Sequence, residues 1–133
     1  MKILHVEDDA GNHYFVARVL EADGHEVVRA VDGAAALEAL AEWRPDLIIL
    51  DIGLPEMDGF ELVERARALG LADGIPIVAL TGWVGPAERA RASRAGFAAF
   101  FEKPLRLAEL RRAVVRVLGA GAPRESGLGG LGC

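Results

Sequence analysis

The sequence of 133 residues holds one cysteine, Cys133. No disulfide can form within the chain, and a reducing compartment is expected. Aromatic residues are scarce, at 6%, so a core must be built mainly from Ala, Val, Leu and Ile. No apolar run approaches the roughly 20 residues that cross a bilayer. The start, Met1 to Asp9, lacks the basic and apolar stretches of a secretion signal. The expectation from these absences is a cytoplasmic protein with no membrane partner. Its length fits one domain, and 52% hydrophobic residues can supply a core.

Charge is unevenly placed. Residues 1–85 carry 6 basic and 16 acidic side chains, whereas residues 86–118 carry 8 basic and 3 acidic ones. Overall acidity, with no recognition element after residue 118, argues against nucleic acid as a partner.

Short apolar runs alternate five times with amphipathic segments. Ile3 to Val6 reads as a strand, followed by a helix over 10–23 with Phe15, Val16, Val19 and Leu20 on its inner face. Val27 to Val31 is a less apolar strand suited to a sheet edge, and a helix over 33–43 turns Ala36, Leu37, Leu40 and Trp43 inward. Asp46 to Leu50 is apolar on both faces, as a central strand of a parallel sheet must be. The next helix, about 59–69, turns Leu62, Val63, Ala66 and Leu69 inward, and Ile75 to Leu80 is the fourth strand. Pro86 opens a helix to about Gly96, Phe97 to Phe101 is the fifth strand, and the last helix spans about 105–118. This alternation predicts a doubly wound α/β fold, (βα)5, with a five-stranded parallel sheet of flavodoxin-like type. The domain then covers 1–118. Residues 119–133 hold six of the 16 glycines and read as a flexible tail.

In such sheets ligands bind beyond the carboxyl ends of the strands, where strand order reverses. Those ends read Glu7-Asp8-Asp9, Asp51, Thr81-Gly82 and Lys103-Pro104. Two carboxylates ~4 Å apart repel by about 4 kcal/mol at an effective dielectric near 20, so a cluster of acids calls for a cation. Oxygen ligands without Cys or His favour Mg²⁺ over zinc or copper. A carboxylate beside such an ion can attack a phosphoryl group, with Lys103 and Thr81 to neutralise and bind its oxygens. Asp51, at the tip of the most buried strand, is the candidate nucleophile. A flavin mononucleotide binder of the same topology needs a Ser/Thr/Gly-rich phosphate loop where this chain has Glu7-Asp8-Asp9. A phosphatase of the aspartyl-nucleophile class is the competing enzyme reading, but it places a second Asp where this chain has Gly53. His5 reads as a core histidine, and His13 and His25 as ordinary helix and loop residues.

Glu7-Asp8-Asp9, the segment from Asp51 to Gly59, Thr81-Gly82 and Lys103-Pro104 together resemble the response-regulator receiver domain of two-component signalling, from Lys2 to about Leu118. The stand-alone single-domain type is most similar. Thr81-Gly82-Trp83 also resembles receivers of hybrid histidine kinases, so a receiver portion of such a kinase is the alternative. The resemblance implies strand order 2-1-3-4-5 and a phosphorylation-dependent switch rather than an enzyme with turnover. Asp51 would be the phosphoacceptor of a phosphorelay, supplied by a histidine kinase or histidine phosphotransfer protein. Mg²⁺, with Mn²⁺ as a chemically similar substitute, would be held directly by Asp9, Asp51 and the Gly53 carbonyl, and by Asp8 through water, with Glu7 in support. Lys103 would contact the phosphoryl group, Thr81 would swing towards it, Phe100 would be the coupled switch residue, and Lys103-Pro104 would be cis. Gly53 leaves room for an attacking water, whereas Trp83 is bulky enough to shield the same group. Arg89, Arg91, Arg94, Arg106, Arg111, Arg112 and Arg116 lie on the fourth and fifth helices. With the fifth strand these helices form the expected output face, fit for an acidic downstream protein or a second copy in a homodimer.

Overall fold

The computed structural model describes residues 1–54, 56–82, 85–104 and 106–121, with the backbone alone at 120 and 121. Strands β1 (Lys2–Val6), β2 (Glu26–Ala30), β3 (Leu47–Asp51), β4 (Ile77–Thr81) and β5 (Ala99–Glu102) alternate with helices α1 (Ala10–Ala22), α2 (Gly33–Glu42), α3 (Gly59–Ala68), α4 (Pro86–Ala95) and α5 (Leu107–Gly121). All strands pair in parallel in the order β2-β1-β3-β4-β5. The less apolar second strand lies at an edge and the wholly apolar third in the centre, as their side chains require. The order reverses between β1 and β3, which sets the carboxyl ends of those two strands around a crevice.

Alternation along β3 divides the core. Ile48 and Leu50 pack with Leu40, Leu62, Val63 and Ala92 on the side of α2, α3 and α4. Leu47 and Ile49 pack with Val16, Leu20, Leu110 and Val114 on the side of α1 and α5. Every residue of β3 and β4 is buried. The starts of α1, α2 and α3 share one device: Asp9, Asp32 and Asp58 stand just before them and accept from the N–H groups of Asn12, Ala35 and Glu61. Each carboxylate thereby occupies donors that the helix leaves unpaired. α4 has no such cap, opens with Pro86, and ends at Gly96 in the left-handed conformation. Among the described residues no helix is long and apolar enough to cross a membrane.

Three expectations shift. Phe15 is 61% exposed and Leu69 65% exposed, while Ala17 and Phe60 are buried instead. On α1 the buried set is Val16, Ala17 and Leu20, so the small Ala17 takes the inner position and rotates Phe15 outward. On α3 the inner face includes the aromatic ring of Phe60 at the helix start, while Leu69, just past the last turn, faces solvent. α5 runs to Gly121, three residues into the stretch read as tail. The remainder of that stretch with Cys133, and Trp83, lie outside the described residues.

Gly59 is where α3 and the end of β3 approach most closely. A Cβ there would lie 2.9 Å from the Ile52 Cα and 2.7 Å from its Cδ1, and the Gly59 N–H already donates to the Ile52 carbonyl at 2.9 Å. Gly59→Ala is expected to lower stability by roughly 1–3 kcal/mol. Urea unfolding measures this, and a wild-type midpoint would show that the helix can move aside without cost.

Candidate functional site

β3 delivers Asp51 to the crevice at 6% exposure. Its Oδ1 accepts from the Gly53 N–H at 3.0 Å, which closes the turn after the strand. Its Oδ2 accepts from Lys103 Nζ, also at 3.0 Å. Lys103 follows β5 and reaches across the end of β4, where its own N–H donates to the Thr81 carbonyl at 2.7 Å. The Lys103–Pro104 peptide is cis, as the resemblance implies, and Pro104 itself is exposed. Thr81 is buried at the tip of β4 and Gly82 is exposed beside it. A Cβ at Gly53 would meet only Asp51 Oδ1, at 3.7 Å, so the local packing does not demand glycine there. The missing side chain leaves open space next to Asp51.

From β1 come the other acids, and they divide their work. The Glu7 N–H continues the sheet by donating to the Ala30 carbonyl at 3.0 Å, and its side chain is turned into the protein at 3% exposure. Glu7 Oε1 lies 3.7 Å from Lys103 Nζ, and Oε2 accepts from the Asp9 N–H at 3.2 Å. Asp8 is exposed, yet its carboxylate reaches the same space: oxygens of Glu7, Asp8 and Asp51 lie within 4.8 Å of one another. Asp9 does not join them. Its Oδ1 accepts from the Asn12 N–H at 2.8 Å as the cap of α1. Asp9, expected as a direct metal ligand, serves here as the cap of α1, and the acids grouped with Asp51 are Glu7 and Asp8. The signal that could have shown this is local, because an Asp immediately before the first turn of a helix is a cap by preference.

Three carboxylates against one ammonium make the site electrically unbalanced. Burial pushes the Glu7 carboxyl above the usual range, and the charges of Asp51 and Asp8 add to this against the Asp9 N–H and Lys103. Burial alone would lower the Lys103 ammonium, but its hydrogen bond to Asp51 and the charges of Asp51, Glu7 and Asp8 outweigh it and raise it. Such a set suits a hard divalent cation with oxygen ligands.

Beside the site two histidines meet, a contact the sequence did not indicate. His5, on β1 facing α1, is buried and its Nδ1 lies 3.0 Å from Nδ1 of His13, the rings stacked at 5.2 Å. One ring must donate and the other accept. Burial, then the charges of His13, Lys103 and Arg29, lower the His5 pKa to about 3. The neutral ring is thus no ionic partner for Glu7, which lies 4.0 Å from its Nε2. Phe100, the expected switch residue, is half-buried against Phe60 and Phe97, with ring centres 6.5 and 6.3 Å away. Phe60 and Phe97 stack at 5.5 Å, and the Arg91 guanidinium lies 4.3 Å over Phe60. Arg111 leaves the expected basic face: its Nε and one terminal NH₂ donate to the Asp23 carboxylate at the end of α1, at 2.9 and 2.8 Å.

Two pH-dependent outcomes follow. The raised Glu7 carboxyl means that the native state holds its proton more tightly than the unfolded chain does, so its charge costs stability as pH rises from about 4.5 through the raised value. Glu7→Gln is expected to raise the thermal midpoint of metal-free protein at pH 7.5 and to lose that advantage near pH 4. A lower midpoint at pH 7.5 would mean that attraction to Lys103 outweighs burial. His5 has the opposite linkage, since the unfolded ring takes up a proton near pH 6.5 and the native ring only near pH 3. Its contribution is present above pH 6.5 and is lost between those values, by up to about 1.4 kcal/mol per pH unit. Chemical denaturation between pH 6 and 4 should show a slope shallower by one proton in His5→Leu, and an unchanged slope would refute the buried neutral assignment.

Comparison with known proteins agrees with this geometry. Residues 3–115 match the response regulator receiver domain family. The chain is 38% identical over 110 residues to the response regulator MprA of Mycobacterium leprae, covering 83% of this chain and 47% of that one. It is 41% identical over 119 residues to the sensor histidine kinase AruS of Pseudomonas aeruginosa, covering 88% of this chain and 12% of that one. It thus spans about half the MprA regulator and a small part of AruS. The receiver domain of the sensor histidine kinase PA1611 from Pseudomonas aeruginosa, solved with a magnesium ion coordinated in its active site cleft, superposes with a TM-score of 0.79 at 32% identity, covering 89% of this chain and 97% of that one. On the match over residues 3–115 and the 2-1-3-4-5 sheet, this chain belongs to the response regulator receiver domains, the signalling switches of two-component systems.

Proposed function

We propose that Asp51 is the phosphoacceptor of this receiver, loaded from the histidine of a kinase or phosphotransfer protein in the presence of Mg²⁺. The observation that carries this reading is the position of Asp51 among Glu7, Asp8 and Lys103. Glu7, Asp8, Asp51 and the Gly53 carbonyl are the residues that would hold the ion. Bound there, Mg²⁺ would neutralise the carboxylates and the incoming phosphoryl oxygens.

The chain's own groups supply the rest. An ionised Asp51 needs no general base. As one of its oxygens forms a bond to phosphorus, the P–N bond of the donor breaks, and its electron pair leaves with the imidazole, neutral if it was protonated before transfer. Lys103, a compact charge on a flexible stem, can follow the negative charge from Asp51 to the phosphoryl oxygens. Thr81 stands at the adjacent strand tip to donate its hydroxyl. A cavity of about 500 Å³ between α1 and α5 opens onto Glu7 and Lys103 and is lined by Phe15, Val16, Leu107 and Leu110, which gives a donor side chain a path to the site. α4 buries only Ala92, so it is the element that a signal of a few kcal/mol can shift. The output face then comprises α4, β5 and the side of α5 that carries Arg112 rather than Arg111, and an acidic protein or a second copy would bind there.

Incubation with Mg²⁺ and a small phosphodonor such as acetyl phosphate should add one phosphoryl group by mass. The addition should vanish in Asp51→Asn and after chelation of the metal. Labelling of Asp51→Asn to the wild-type extent would overturn the assignment.

A further inference from the structure

Arg29 lies on the edge strand β2, opposite His5 in the register. It makes no ion pair among the described residues, although Glu7 and Asp8 are near neighbours. Its guanidinium instead takes two consecutive backbone carbonyls: Nε donates to the Glu7 oxygen at 3.0 Å and one terminal NH₂ to the Asp8 oxygen at 2.9 Å. These are the carbonyls at which the chain leaves β1 for α1. On the sheet side the Glu7 N–H is fixed to Ala30, and on the helix side the Asp9 N–H is fixed to Glu7 Oε2.

A planar fork with two parallel donors sets the distance and direction between the groups it binds, which a single ammonium cannot do. Holding both carbonyls orients the two peptide planes that flank Asp8, and with them the directions in which the Glu7 and Asp8 side chains depart. Both carboxylates lie with Asp51, their ligand atoms within 4.8 Å of one another. As a charge alone, Arg29 is a poor choice beside a cation site, because like charges repel. Geometry, not charge, is what it contributes.

We infer that Arg29 is a positioning residue for divalent-cation binding, which clips the Glu7–Asp8 backbone so that both carboxylates face Asp51. This rests on the Mg²⁺-dependent reading of the site. Charge and geometry predict opposite signs on removal. If Arg29 acted only as a charge, Arg29→Gln would bind Mg²⁺ more tightly. As a clip, its loss should weaken Mg²⁺ binding roughly tenfold, the lower range for residues that support metal ligands.

Isothermal titration of the full chain with Mg²⁺ decides between them, with folding checked by circular dichroism. Arg29→Lys keeps the charge without the fork and should also bind more weakly than wild type, so it carries the test if Arg29→Gln does not fold. In phosphorylation by acetyl phosphate, the half-saturating Mg²⁺ should rise by more than the rate at saturation falls. Equal or tighter binding by Arg29→Gln, or wild-type binding by Arg29→Lys when the Gln variant does not fold, overturns this inference and leaves the Asp51 assignment standing. Wild-type protein that binds no Mg²⁺ overturns both.

Discussion

Lys103 and Asp51 come from strands that are not neighbours, and their 3.0 Å contact bridges the end of β4 between them. That ion pair lets a carboxylate stand at the tip of a strand buried along its whole length. Breaking a fully buried pair by removing one partner costs about 3–5 kcal/mol, because a charge is left without compensation. Here compensation is incomplete even when the pair is intact, since Glu7 and Asp8 share the one ammonium. Burial raises the Glu7 carboxyl, and the charges of Asp51 and Asp8 add to that rise. The site thus gathers more negative than positive charge, three carboxylates beside one ammonium. The Glu7 N–H is bonded to the Ala30 carbonyl and its carboxylate accepts from the Asp9 N–H, while Asp51 Oδ1 accepts from the Gly53 N–H.

Two strands on from Asp51, at the sheet edge, burial is less complete. β5 contributes Phe100 to a cluster with Phe60 of α3 and Phe97 of the turn after α4. α4 itself buries a single alanine, and the Arg91 guanidinium lies over the Phe60 ring of α3. Aromatic rings packed edge and face have few alternative arrangements, so a shift of Phe100 must be taken up by Phe97 and Phe60, and these border α4. The strand that leads to Lys103 thus also carries one ring of the cluster beside the weakly seated α4.

Much of this was legible in the sequence because it is local or periodic. The continuous apolar run from Leu47 to Leu50 placed β3 at the centre, and the less apolar β2 fell at the edge. The strand-end rule then gathered Asp51, Thr81 and Lys103. Helix faces were legible less well, because an alanine can take an inner position as readily as a large residue when the neighbour is close. Ala17 does so and turns Phe15 out. Arg29, the His5–His13 pair and the Arg111–Asp23 bridge were not legible. Each joins residues on separate elements through side-chain directions that only the packed fold fixes.

The acidic triplet shows how fine the limit is. Glu7, Asp8 and Asp9 are chemically similar and consecutive, yet one is buried beside Lys103, one faces the crevice from solvent, and one caps a helix. Their roles follow from position alone. Glu7 is still paired to β2, and α1 begins at Ala10, so only Asp8 lies between the last sheet bond and the cap. A slip of one residue in either boundary would exchange the roles. Composition can therefore predict that this loop is acidic and faces the switch point. Which acid does which work is decided by the Ala30 and Asn12 backbone partners, one strand away and three residues on.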